Sequence, residues 1–158
     1  MGNNDYEYKM LEAFVGKPDR VLWYQNAFSK FNVNGVDAMK WHWNWWGFFG
    51  GFLYLLYRKA YTPALILFLV SITVGMIFPL GLVIAILAGG YSTYFVYKVY
   101  KVQKGTIENI IDDEEKRIET MREIGGYHQW VIWIYGVFIS LIMLTFFGLA
   151  FTSISQIN

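Results

Sequence analysis

Apolar and polar positions divide this chain into short amphipathic pieces and long, uniformly apolar ones. In 5–15, Tyr6, Met10 and Phe14 fall on one stripe and predict a short helix. "GKPD" (16–19) ends it and opens another, because glycine stops helices and Pro18 suits a first turn. Val21, Tyr24, Phe28 and Phe31 then recur at helical spacing, with Leu22 widening the face, and "NVNG" (32–35) reads as a turn. Helices this short are marginal alone in water. Residues 1–42 are therefore expected to form amphipathic helices that pack on each other, on a membrane surface or on a partner.

The apolar segments set the larger plan. "TPALILFLVSITVGMIFPLGLVIAILAGGYSTYFVY" (62–97) is about twice the roughly 20 residues that cross a hydrocarbon core. One straight helix of that length would reach about 55 Å at about 1.5 Å per residue. It is expected to fold back at "FPLG", where Pro79 and Gly81 interrupt the helix, giving a hairpin over 61–97 with spans at about 61–78 and 80–97. A third span is predicted at about 128–151, entered through Trp130, Trp133 and Tyr135 as through an aromatic belt, and 128–158 forms this span and an uncharged tail. Between them, 104–126 reads as a connector helix. Thr106 is its candidate cap, Ile107, Ile110, Ile111, Ile118 and Met121 form its apolar stripe, and Gly125-Gly126 ends it. Asp112–Lys116 and Asp113–Arg117 are candidate ion pairs on its surface.

Charge decides how "WHWNWWGFFGGFLYLLYRKAY" (41–61) sits. All thirteen Lys and Arg lie within 9–59 or 98–122, and no charged residue or histidine falls within 60–97 or 129–158. If 45–57 crossed the bilayer, Arg58-Lys59 and the 98–122 cluster would not both lie on the N-terminal side. Too few apolar residues separate Asn44 from Arg58 for a comfortable crossing, and Gly47, Gly50 and Gly51 weaken the helix further. The stretch is therefore expected to be an interfacial or re-entrant helix over about 43–58 (the segment 43–59), with all cations on the cytoplasmic side. The expected fold is an all-α integral membrane domain of three transmembrane helices, N-terminus in and C-terminus out.

Composition narrows the chemistry. Apolar residues make up 56% of the chain and charged residues 16%, against roughly 25% in globular proteins. A net charge of +1 gives no basic excess for nucleic acid. Cysteine is absent, which removes disulfide and thiol chemistry. The polar N-terminus lacks the apolar core of a cleaved signal peptide, and "MGNNDY" lacks the Ser or Thr that favours myristoylation. His42 and His128 have no acidic residue at ligand spacing, and "DDEE" (112–115) reads as a solvated helix face. Neither a metal, a cofactor nor a catalytic residue is expected. Charge-free spans also disfavour proton-coupled transport.

Two residue sets remain as candidates. Lys40, Trp41, His42, Trp43, Trp45, Trp46, Arg58 and Lys59 are suited to lipid headgroups at the interface. Gly47 and Gly51, with Gly81, Ala85 and Gly89, recur at one-turn spacing and suit close helix packing, as would Thr93 one turn on.

The stretch 43–61 resembles the hallmark of a bacterial domain-of-unknown-function family of small membrane proteins, about W-N-W-A-A-F-F-F-G-P-F-W-L-L-Y-R-K-M-Y. Trp43, Asn44, Trp45, Phe48, Phe49, Gly51, Leu55, Leu56, Tyr57, Arg58, Lys59 and Tyr61 match in register, and "FVGKPDRVLWYQNAFSKF" is similar to its lead-in. Gly50, Phe52 and Tyr54 depart from it. The resemblance extends over about 14–104 and implies a bacterial inner-membrane protein without a known activity. The expected role is a non-catalytic accessory or scaffold subunit that binds membrane lipids and another membrane protein or its own copies. An oligomeric channel or small-solute facilitator is the alternative, and a phospholipid-binding or lipid-modifying protein the second alternative.

Overall fold

The computed structural model describes residues 2–33, 35–77 and 79–155. Asn34 of the first turn, Phe78 of "FPLG" and the last three residues of the tail lie outside them. Helix accounts for 78% of the chain, so the all-helical expectation holds. In order the elements are α1 (Asn3–Val15), a 3-10 turn (Pro18–Arg20), α2 (Val21–Phe31), β1 (Asn32–Val33), β2 (Val36–Asp37), α3 (Trp45–Gly50), α4 (Phe52–Tyr57), α5 (Tyr61–Thr73), α6 (Leu80–Ile110), α7 (Glu114–Ile124) and α8 (Gln129–Ser155). The chain divides into two compact units, Met1–His128 and Gln129–Asn158.

The first unit is built around the charged half of α6. The predicted stripes of α1 and α2 are all buried: Tyr6, Met10 and Phe14, then Val21, Tyr24, Phe28 and Phe31. They close on Val96, Tyr97, Tyr100 and Ile107 of α6 and on Ile118 and Met121 of α7. Ring contacts fix the fit, with Phe14 and Tyr100 centroids 5.0 Å apart and Phe28 and Tyr97 centroids 5.3 Å apart. Leu22 does not widen this face as expected; it is 65% exposed. Gly16 ends α1 in the left-handed region (φ 64), as a C-terminal glycine does. Its neighbour Phe14 accepts a hydrogen bond from Gly126 N at 2.8 Å, which docks the glycine pair after α7.

The connector differs from the expectation of one helix over 104–126. Nothing in "KVYKVQK" breaks a helix, so α6 runs past the first charges to Ile110, and Thr106 sits inside it with its hydroxyl on the Val102 carbonyl. The separate α7 is capped by Asp113, whose carboxylate accepts from Lys116 N at 2.8 Å. Arg117, expected to pair with Asp113, turns back onto the Glu108 and Ile111 carbonyls at the end of α6. Of the isoleucine stripe, Ile107 and Ile118 are buried while Ile110 is exposed.

The apolar hairpin is shorter than expected. Its first helix, α5, ends at Thr73, and turn residues lead to Leu80. Thirteen helical residues reach about 20 Å. Among the described residues the second unit holds one helix, α8, with no polar face, whose Ser140 and Thr145 hydroxyls bond to carbonyls one turn back, at 2.8 and 2.6 Å. By length and composition two stretches are able to cross a membrane, Leu80–Ile110 and the run within Glu114–Gly148 whose apolar part belongs to α8.

The small β-hairpin is tied to α6 at one point. Asp37 accepts from Tyr97 Oη at 2.8 Å and pairs with Lys98 at 3.0 Å and Lys101 at 2.6 Å. Lys101, Tyr97 and Lys98 together hold its carboxyl well below the usual carboxylate range. A folded-state value below the unfolded one means the stabilisation is complete above about pH 4 and is lost as pH falls below it. Asp37→Asn should therefore lower the melting temperature at pH 7, and the gap from wild type should narrow as pH falls below about 4. Thermal melts of both proteins from pH 7 to pH 3 check this.

Candidate functional site

The tryptophan segment meets α6 through backbone first and side chains second. Residues 41–44 run extended along the helix, and His42 N and Asn44 N donate to the Gly90 and Gly89 carbonyls at 3.0 and 2.8 Å. Such an approach needs bare backbone on the helix. A Cβ on Gly89 would lie 2.9 Å from Phe48 Cβ and 3.0 Å from the Trp43 ring, and one on Gly90 would enter the Trp41 ring. Asn44, buried, closes the contact. Its Nδ2 donates to Thr93 Oγ1 at 3.2 Å, while its Oδ1 caps α3 by accepting from Trp46 N at 3.0 Å.

Two six-residue helices follow, and neither is long enough to cross a membrane. Gly51 breaks them at φ 49 and ψ −124, a conformation open essentially to glycine alone. Gly47 lies flat against α6: a Cβ there would enter Ser92 Oγ and come 2.8 Å from the Ala88 carbonyl. Of the predicted packing residues, Gly47 and Gly89 thus serve this one contact, and Gly81 faces the Gly75 carbonyl at the hairpin turn. Ala85 is half-buried, and Gly51 shapes the backbone without packing.

The aromatic side chains form two layers. Trp43 touches Trp41, Trp45 and Phe48 with centroids 6.1, 5.1 and 5.4 Å away. Trp45, Trp46 and Phe49 are exposed, as are Lys40 and, in part, Trp41. His42 turns inward, edge-on to Trp23 at 5.1 Å. These placements suit the headgroup role expected of Lys40, Trp41, Trp45 and Trp46.

Arg58 does not take that role, and Lys59 spends part of its ammonium on the protein's own carbonyls. Arg58 is 2% exposed, with Nη1 donating to the Val15 carbonyl at 3.0 Å and its guanidinium 4.8 Å from the Tyr24 ring and 5.3 Å from Phe14. Its Nε and Nη2 have no hydrogen-bond partner among the described residues. Tyr24 and Tyr54 share a hydrogen bond at 3.0 Å beside it, and burial pushes the Tyr54 phenol well above its ordinary value, so it stays neutral. Lys59, left-handed at φ 58, donates to the Ile124 carbonyl at 3.1 Å and to Gly125 O at the end of α7. The physical reason is local: Arg58 finds a carbonyl and two ring faces inside the protein, and Lys59 finds two carbonyls at the end of α7. Sequence reasoning also passed over Asp37 and Tyr54. Asp37 carried a signal, as the lone acidic residue between Asp19 and Glu108.

The chain belongs to a family described as a protein of unknown function (DUF2628), which matches residues 12–101. That range takes in α1 from Glu12 through most of α6, and so the whole candidate site. No curated protein and no solved structure matches the chain.

Two substitutions test the geometry. Gly47→Ala should destabilise the protein by about 2–3 kcal/mol through overpacking, and Ser92→Gly in the same chain should recover part of that loss; melts of the single and double variants measure the coupling. Arg58→Lys should be more damaging than Arg58→Met, by about 1–3 kcal/mol. Lysine keeps a desolvated charge without the stacking plane, whereas methionine fills the site and suits ring faces. Equal melting of these two variants would contradict the packing described for the guanidinium.

Proposed function

We propose that the protein is a non-catalytic accessory or scaffold subunit of a larger complex in the bacterial inner membrane. The observation that carries this reading is the division of roles within 41–59. Asn44, Arg58 and Lys59 are committed to backbone carbonyls, hydroxyls and rings, so they build a platform. Trp45, Trp46 and Phe49 stay exposed on it, and large aromatic side chains are favoured anchors at both headgroups and protein interfaces.

Orientation follows from charge. Every Lys and Arg lies in the first unit and none in 129–158. By the positive-inside rule the helical body with its N-terminus is cytoplasmic, and a crossing by α8 leaves the C-terminus periplasmic. The phospholipid-site reading loses the Arg58 guanidinium, which is buried on the Val15 carbonyl and the rings of Phe14 and Tyr24.

Native mass spectrometry of the gently solubilised protein tests the proposal. A heteromer of fixed stoichiometry is expected, and replacing Trp45 and Trp46 together by alanine should dissociate it. A closed homo-oligomer, or a monomer retaining only phospholipid, would overturn it.

A further inference from the structure

We propose that the α5–α6 hairpin is a one-sided membrane insertion: it enters from the face bearing the helical body and ends within the hydrocarbon, its tip in contact with acyl chains. This rests on the membrane reading above, and replaces the expectation that 61–78 and 80–97 each cross.

Length is the first argument. Hydrocarbon is about 30 Å thick. Helix α5 reaches about 20 Å, and α6 covers about 27 Å from Leu80 to the last residue before Lys98. The aromatic collar grips α6 at Gly89 and Gly90, only about 14 Å from Leu80. With the near boundary at the tryptophans the tip falls short of the far one, and α5, at thirteen residues, is itself too short to cross.

Tip chemistry is the second. A hairpin emerging into water ordinarily ends in a polar loop, yet "VGMIFPLGLVI" (74–84) has no polar side chain. Met76 is 86% exposed and Ile77 56%, with Leu80 and Leu82 also exposed.

Third, several backbone groups of the turn find partners within it, as lipid demands and water does not. Val74 N and Gly75 N donate to the Val70 carbonyl at 3.0 and 3.3 Å, Ile77 N to Val74 O at 3.1 Å and Leu80 N to Ile77 O at 2.7 Å. Pro79 has no N–H to satisfy. Approaching the turn, Ser71 and Thr73 hydroxyls fold onto the Leu67 and Leu69 carbonyls at 2.7 and 2.8 Å.

The chain contains no cysteine, so single-cysteine variants report one position each. Met76→Cys and, as a body control, Lys30→Cys are treated in spheroplasts with a membrane-impermeant maleimide, before and after permeabilisation. Met76→Cys should be labelled only after denaturation in detergent; labelling from outside the intact cell would overturn the proposal. A nitroxide on the same cysteine, in vesicles of phosphatidylethanolamine and phosphatidylglycerol, should be accessible to oxygen and shielded from a nickel chelate. Shielding from both would mean that protein covers the tip, and would also overturn it. Recovery of the chain in the soluble fraction would instead defeat the membrane reading itself. Labelling of Lys30→Cys from outside would reverse the orientation and leave the one-sided insertion standing.

Discussion

A cation taken out of water has to be met by something, and the way Arg58 is met organises the first unit. No carboxylate pairs with it among the described residues; it has the Val15 carbonyl and the faces of Phe14 and Tyr24. Guanidinium tolerates such a site better than ammonium because its charge is delocalised over a plane that stacks on rings. The three partners come from α1 and α2, while Arg58 follows α4 directly. One side chain therefore joins the two N-terminal helices to the aromatic segment. Lys59 adds a second tie to the end of α7, and its left-handed backbone is the strain that permits this turn.

The same segment is fixed at its other end by close approach. Extended backbone at 42–44 donates to carbonyls of an intact helix, which is possible only because Gly89 and Gly90 leave the helix surface bare. Asn44 then turns the chain into α3, and Gly47 lets that short helix lie flat on Ser92. Held at both ends, the segment forms two six-residue helices rather than one long one. Its break at Gly51 completes the constraint.

Periodicity made much of this legible. The stripes of α1 and α2 appear in the sequence as Tyr6, Met10, Phe14 and Val21, Tyr24, Phe28, Phe31, and all seven are buried. The glycines read as packing positions do pack at Gly47, Gly81 and Gly89, because a missing Cβ has the same geometric meaning in any fold. Arg58 misled for a reason that sequence alone does not remove. A cation beside an apolar run looks alike whether it seeks a phosphate or a carbonyl, and only the three-dimensional neighbours decide. Thr106 misled similarly: it is a good cap residue, but a cap needs a helix to start there, and "KVYKVQK" gives the preceding helix no reason to stop. The segment 61–78 read as a span by composition, yet helical length is set by Thr73 and the turn after it.

Continuity of α6 links the two ends of the first unit. One unbroken helix carries bare apolar surface near Leu82, the aromatic collar at Gly89 and Gly90, and the lysines that hold Asp37. Along a rigid helix these levels are locked in register, the collar and Lys98 about 12 Å apart. The β-hairpin anchored by Asp37 therefore keeps a fixed height relative to Trp41. A body joined to its apolar hairpin by a flexible linker would be free to swivel against it; one joined through the interior of its own core helix is not. Exposed Trp45 and Trp46 are thus held at one position and one angle relative to the hairpin.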